Sequence, residues 1–346
     1  MTTSCSNIGL VYWKQGDLEN ALLQHQRALE IRTRMFGSEH PLVAASHVNI
    51  GNVYQVQGKY EEALVELKKG LDVLVAVHGQ EHLDVAMTCN NMGTVYEKQG
   101  RYEEALDYYH RSLDIKVRVV GHEHPDVANS RTGIGNVLDR MGKNEEALVE
   151  HQKALEVFLA VHGQEHPSVA ASYGNIGNVY DSQGRYEEAL FHHKKALEVF
   201  LFVFGQEHPS VANAYNDIGV VYRKKGDLEN ALLQHQRALE IRTRVFGSEQ
   251  PLVADSYQNM ANVYCSQGRH EEALVQHEKA LEIRTRVFGS EHPLVADSYQ
   301  NIAATYLGQG KRAQGIEMLT KAYDINLKVL GPDHPRTKKL KSFLGT

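Results

Sequence analysis

Histidine and asparagine are the residues whose spacing in this chain could support chemistry. Five of the 19 histidines, His25, His151, His193, His235 and His277, share one position of a repeating pattern. Imidazoles can ligate zinc or pass protons. That position is filled elsewhere by Leu67, Tyr109 and Leu319, however, and exchange with leucine and tyrosine marks a packing site. Copies on neighbouring helices should stand roughly 8–10 Å apart or more, whereas zinc holds its donor atoms at about 2 Å. A second ladder, His40, His82, His124, His166, His208, His292 and His334, fails as a metal site by the same geometry. Its expected task is local, ordering a helix entry beside proline. Gln250 takes the place once, which points to hydrogen bonding rather than titration. The phosphate loop Gly-x-x-x-x-Gly-Lys-Ser/Thr, the zinc motif His-Glu-x-x-His and the nucleophile elbow Gly-x-Ser-x-Gly are all missing from the sequence. No catalytic residue, cofactor or metal is therefore expected.

The asparagines form a different pattern. Asn7, Asn49, Asn91, Asn175, Asn259 and Asn301 occupy one position, and Asn52, Asn136, Asn178 and Asn262 lie three residues beyond it. Side chains at i and i+3 of a helix share a face. An amide both donates and accepts, so a row of amides can pair with the backbone of an extended peptide. The same amides also suit hydrogen bonds between neighbouring repeats.

Bulk composition narrows the classes. Apolar residues make up 42% of 346 residues, and 37 Lys+Arg stand against 43 Asp+Glu for a net charge of −6. With no basic block, nucleic acid is not an expected partner, because phosphate binding needs a clustered cationic face. No apolar run approaches the ~18 residues of a membrane span, so no membrane is expected either. The segment Met1-Thr2-Thr3-Ser4-Cys5 lacks the regions of a signal peptide. Cys5, Cys89 and Cys265 have no CxxC spacing and cannot pair evenly. A reducing, cytoplasmic setting is the simplest expectation.

The elements that must hold these side chains are written in glycine. Gly16, Gly58, Gly100, Gly142, Gly184, Gly226, Gly268 and Gly310 recur every 42 residues, as do Gly37, Gly79, Gly121, Gly163, Gly205, Gly247, Gly289 and Gly331. Seven of the eight prolines follow the second series at one fixed position, with Leu83 the one departure there. Proline belongs in a helix's first turn, so a helix A starts near Pro41, Pro125 and Pro167 and runs to the first glycine series. Helix B opens on acids, as in Tyr60-Glu61-Glu62, which suits the positive end of the dipole. Arg242, Arg244, Arg284 and Arg286 near its other end are expected to serve the negative one. Small residues mark close helix contacts in helix B: Ala21, Ala63, Ala105, Ala147, Ala189, Ala231 and Ala273, then Ala28, Gly70, Ser112, Ala154, Ala196, Ala238 and Ala280. The last unit is expected to depart at the first of these positions. The prediction is an all-α array over residues 1–346, of eight helix pairs in 42-residue register. The first pair is truncated, as in a piece of a longer protein, and a capping helix lies at about 335–344.

A 42-residue helix pair would also fit a HEAT-like unit, but the small-residue set and Asn-Ile-Gly-Asn-Val-Tyr-x-x-Gln-Gly, at Asn49–Gly58 and Asn175–Gly184, favour another family. With Ala280–Glu291 running into His292-Pro293-Leu294-Val295-Ala296, the unit resembles the kinesin light chain type of tetratricopeptide repeat. Nephrocystin-3-like proteins and the sensor arrays of NB-ARC receptors share that extended unit. The resemblance covers essentially the whole chain and implies a right-handed α-solenoid of tetratricopeptide-type helix-turn-helix repeats. No heptad coiled coil precedes the array, so motor attachment is not implied. The copies are unusually alike: Gly16–Arg34 and Gly226–Arg244 are the same nineteen residues, the mark of recent duplication or of design toward a consensus.

Such arrays line a concave groove with helix A, and the resemblance places Asn49, Asn52, Asn91, Asn136, Asn175, Asn178, Asn259, Asn262 and Asn301 on it. Arg131, Arg140, Arg223 and Lys224 would add positive points, and Asp217, Asp255 and Asp297 negative ones. Tyr173, Tyr215, Tyr257 and Tyr299 would offer aromatic walls. The lysines of a chaperone-type carboxylate clamp are missing from Val48, Asn90, Thr132 and their equivalents. The expected role is a protein-interaction scaffold holding a peptide or partner segment. The alternative is a self-assembling repeat protein, with Ile8, Val11 and Tyr12 exposed for head-to-tail association.

Overall fold

The periodicity of the sequence is realised as 17 helices and no strand among the described residues of a computed structural model that covers residues 2–345. Met1 and Thr346, the outermost residues of the expected array, lie outside the described residues. The helices group into two compact units, with the chain dividing between Gln164 and Glu165. The first holds α1 (Thr2–Lys14), α2 (Leu18–Phe36), α3 (Pro41–Val56), α4 (Tyr60–His78), α5 (Leu83–Lys98), α6 (Tyr102–Val120), α7 (Pro125–Arg140) and α8 (Asn144–His162). The second holds α9 (Pro167–Ser182), α10 (Tyr186–Phe204), α11 (Pro209–Lys225), α12 (Leu228–Phe246), α13 (Pro251–Ser266), α14 (His270–Phe288), α15 (Pro293–Gly308), α16 (Arg312–Leu330) and α17 (Pro335–Leu344). Within each unit, odd-numbered helices are helix A and even-numbered ones helix B, each pair packed as a hairpin. Each unit is all-α, a stack of helix hairpins.

The ends of the helices follow from local chemistry. Gly79 closes α4 at φ +79°, where a Cβ would be strained, and its N–H donates to Val75 O. At the start of helix A the ladder histidines act as N-caps. Nδ1 of His40, His82, His124, His166, His208, His292 and His334 accepts the backbone N–H two residues on, at 3.1–3.2 Å. Several also stack on the aromatic residue four positions earlier, as in Phe36–His40 and Phe204–His208. Gln250 makes no such cap. The hydrogen-bonding role thus belongs to the imidazole, whose rigid ring and stacking partner aim Nδ1; a flexible amide does not take it over.

The core between helices A and B is built from one close contact repeated. An ideal Cβ on Gly51 would lie 2.8 Å from Leu67 Cγ, and on Gly135, Gly177 and Gly219 within 2.7–2.8 Å of the ring of His151, His193 or His235. His25, His151, His193 and His235 of helix B are therefore buried against bare helix A backbone, with Leu67 and Tyr109 as packing equivalents, while His277 and Leu319 are buried at the same register, where helix A carries Ala261 and Ala303. Two expectations need correction. Gly315 sits in register, 42 residues after Ala273, and is buried where a Cβ would meet Leu307 Cγ at 2.7 Å; the last unit keeps its small residue. Arg242 and Arg284 do not serve a solvent-exposed helix end. Both are buried and reach into the next helix A, donating to Ser256 Oγ at 2.9 Å and Ser298 Oγ at 2.8 Å. Arg244 and Arg286 stay exposed and pair with Glu207 and Glu249 of the preceding connection.

A candidate peptide-binding face on helix A

Each helix A buries one stripe, such as Val43, Ala44, Ile50 and Val53 of α3, against its helix B. The asparagines lie beside that stripe and are half-buried or exposed. In the first unit Asn49 and Asn52 of α3 and Asn91 of α5 line a hollow of ≈ 250 Å³ floored by Leu74 of α4. In the second unit Asn175 and Asn178 of α9 line one of ≈ 200 Å³ with Phe200 of α10 and Asn213 and Asp217 of α11. The two hollows occupy the same place in the repeat. Ala45, Asn49, Asn52, Leu74, Met87 and Asn91 of the first answer to Ala171, Asn175, Asn178, Phe200, Asn213 and Asp217 of the second, three repeats on. Small-molecule sites measure about 300–1,000 Å³; each of these hollows is the size of one side chain.

The other predicted residues are placed differently. Asn259 Nδ2 donates to Asn216 Oδ1 at 2.7 Å, a bond between neighbouring helix A elements. Asn262 Oδ1 accepts from Gln258 Nε2 at 3.3 Å on its own helix. Asn301 accepts a bond from Thr305 Oγ1 through its backbone carbonyl. Asn136 is half-buried on α7 and lines neither hollow. Arg131 is paired with Glu150 at 2.7 Å, both largely covered. Arg140 Nε lies 3.2 Å from Glu97 Oε1, and that carboxylate also accepts from the Tyr109 hydroxyl. Arg223 is half-buried near the end of α11, and the next residue, Lys224, pairs with Asp181 at 2.6 Å. The tyrosine faces carry cations from their own helix B: Lys195 over Tyr173, Arg237 over Tyr215, Lys279 over Tyr257 and Lys321 over Tyr299.

Acids on this face differ in how they are neutralised. Asp255 pairs with Arg284 at 2.8 Å, and Asp297 with Arg336 at 3.3 Å. Among the described residues Asp217 has no such partner; burial pushes its carboxyl from 3.8 up to about 6, while a hydrogen bond from Asn216 and the field of Arg242 pull the other way. Met87, Leu74 and Phe200 also belong to the hollows, although their residue types alone do not mark them as site residues. The signal was present in their repeat positions, yet only packing shows that those positions open onto the face. Desolvation holds His151, His193, His235 and His277 down at about 4, so they are neutral near pH 7.

Among the described residues one side-chain group brings metal-type ligand atoms together: those of His78, His82 and Asp84 lie within 4.8 Å of one another. His78 and His82 flank one connection rather than sitting in different repeats, so the helix spacing that separates the ladder copies does not keep them apart. The rings of His78 and His82 stack at 4.2 Å, as Phe36 and Phe204 do on His40 and His208, and His82 Nδ1 caps α5. Stacking and capping account for the arrangement.

Among the described residues no helix is long and apolar enough to cross a membrane. No curated protein matches the sequence. Solved structures resemble it in fold. BtubC (BKLC) from P. vanneervenii superposes with a TM-score of 0.59 at 22% identity, over 68% of this chain and 94% of that one. A Podosopora anserina protein with nearly identical TPR-like repeats, provisionally named a kinesin light chain, gives 0.52 at 24% over 60% and 98%. Aspartyl phosphate phosphatase F from Bacillus subtilis gives 0.63 at 18% over 89% and 76%. In fold the array is thus kinesin light chain-like. The tetratricopeptide repeat family model matches at residues 2–74, 83–156, 140–201, 192–244, 210–284 and 252–325. Spanning nearly every helix pair described above, that match makes this chain a member of the tetratricopeptide repeat family.

Proposed function

We propose that the chain is a protein-interaction scaffold that holds an extended peptide or partner segment along its helix A face. The observation that carries this reading is the pair of register-equivalent hollows, each walled by the asparagine ladder and each sized for one side chain. Half-exposed amides in such walls can accept and donate to a peptide backbone whatever its side chains, while the hollows take alternate side chains. Affinity then accumulates from modest contacts over several repeats, as in other extended-segment recognition. Asn259 is then a repeat-to-repeat fastener, Asn262 is engaged by Gln258 of its own helix, and Asn49, Asn52, Asn91, Asn175 and Asn178 remain as ligand contacts.

The test is peptide display on the chain beside a variant with Asn49, Asn52, Asn175 and Asn178 changed to alanine, a better helix former. Peptides enriched by the parent and lost by the variant are expected. Enrichment that survives all four changes would put binding elsewhere.

A second reading has its own observation: Ile8, Leu10, Val11 and Trp13 of α1 are exposed, between 40% and 53%. Heterologous contact through this helix would extend an assembly rather than close it. Tyr12, also expected on that surface, is half-buried. Sedimentation that stays monomeric across a hundredfold concentration range would remove self-association.

A further inference from the structure

We propose that the hollow between α9, α10 and α11 is a subsite for the cationic head of a lysine or arginine side chain, with Asp217 as its counter-charge. The inference deepens the peptide-binding reading above and rests on it.

Asp217 occupies the ladder position that holds asparagine at Asn7, Asn49, Asn91, Asn175, Asn259 and Asn301. Aspartate and asparagine have the same shape, so packing and register do not require the acid here. What the substitution adds is one negative charge at the wall of a hollow. Asp255 and Asp297, acids of the two helix A elements that follow, are neutralised in place by Arg284 and Arg336. No Lys, Arg or His nitrogen among the described residues lies within 4.0 Å of the Asp217 carboxylate. The cation of nearest influence, Arg242, is committed elsewhere. Its guanidinium donates to Leu252 O at 3.1 Å, Ser256 Oγ at 2.9 Å and Asn213 Oδ1 at 2.9 Å. His193, also on the hollow's wall, is neutral near pH 7 and adds no positive charge.

The rest of the lining fits the same occupant. Ala171, Gly174 and Phe200 give apolar surface for an aliphatic stem, while Asn175 and Asn178 offer amide oxygens to an ammonium or guanidinium. A cation entering the hollow restores to a partly desolvated carboxylate the charge pairing it lacks, which makes the contact more selective than an exposed pair. The equivalent hollow of the first unit carries Asn91 and Met87 where this one has Asp217 and Asn213. That hollow is lined by a different acid, Asp84 in the first turn of α5, whose carboxylate lies 3.6 Å from His82 Nδ1, while its ladder position carries an uncharged amide.

The experiment is display of a random peptide library on three full-length proteins: the parent, Asp217→Asn, and Asn175→Ala/Asn178→Ala. Asp217→Asn recreates a residue found at six equivalent positions, and its helical circular dichroism and thermal midpoint are checked first. Parent-selected peptides should share a lysine or arginine at one register. Asp217→Asn should select peptides that keep the other positions and lose the basic one. A parent-selected peptide with that lysine changed to norleucine should bind the parent tenfold to a hundredfold more weakly, the scale of a hydrogen-bonded charge, and bind Asp217→Asn unchanged. Lysine or arginine enrichment that persists in Asp217→Asn overturns the subsite, as does its absence among peptides that depend on Asn175 and Asn178. Peptides that bind without Asn175 and Asn178, or no enrichment at all, overturn the underlying groove reading and the subsite with it.

Discussion

At one position of helix B the chain uses histidine five times, leucine twice and tyrosine once, and among the histidines burial has made the proton unwelcome. His151, His193, His235 and His277 are held at about 4 by desolvation, against 6.5 for a free imidazole. Between those values the unfolded chain takes up protons that the folded chain refuses. Their contribution to stability is therefore intact above pH 6.5 and lost as pH falls toward 4. Each unit of depression is worth about 1.4 kcal/mol per histidine, so thermal midpoints should drop steeply between pH 6.5 and 4.5. His235 has both ring nitrogens buried without a partner. Changing it to leucine, the native residue at Leu67 against Gly51, should stabilise the protein by about 1 kcal/mol and make the midpoint less sensitive to acid. Equal losses for both proteins between pH 7.5 and 5.0 would show that the ring is not the titrating group. Adding a methyl group at Gly219 should do the reverse, because its Cβ would sit 2.8 Å from that ring; a cost of about 1–3 kcal/mol is expected in denaturant titration.

At the level of elements, the helix A caps give a gain-of-function test. Gln250 stands where seven other helices have a capping histidine, and it follows Phe246 at the spacing of the Phe204–His208 stack. Gln250→His should install both the cap and the stack and raise stability by about 0.5–1 kcal/mol, while His208→Ala should lose about as much. Chemical denaturation measures both. These starts and stops were legible in the sequence because they are backbone demands. Only glycine takes the turn at Gly79 without strain, and proline after an extended residue opens α9. The all-α solenoid and its family followed from them. Less legible was anything decided by a long side chain's route. Arg242 and Arg244 are two residues apart, yet one is buried against Ser256 and the other pairs in solvent with Glu207. Their difference depends on helix phase, which shows only in the packed array. Likewise Asn175 and Asn259 share a ladder position, but Asn259 bonds to Asn216 while Asn175 lines a hollow; the divergence comes from the neighbouring repeat rather than from either residue.

On the scale of the whole molecule, the contacts within each unit are confined to the same or neighbouring repeats, so stability is a sum over repeats and their interfaces. Removing residues 185–226, one full 42-residue period, joins Gly184 to Asp227 and recreates the native Gly226–Asp227 junction. His235 then faces Gly177 as His193 does now. That shortened protein should keep its helical circular dichroism per residue and melt a few degrees lower. A cut of six residues fewer, which breaks the register, should give an aggregating product. The near-identity of the repeats has a kinetic counterpart. Since Gly16–Arg34 and Gly226–Arg244 are the same sequence, a helix hairpin docking during refolding finds several partners that satisfy it equally, within its own chain or another. Such degeneracy is frustration of the folding landscape by good contacts in the wrong place. Slipped arrays and swapped dimers compete with the native pairing most where copies are alike. Residues that break the monotony, such as Leu83, Tyr109 and Asp217, then serve as landmarks by which the chain counts its own repeats.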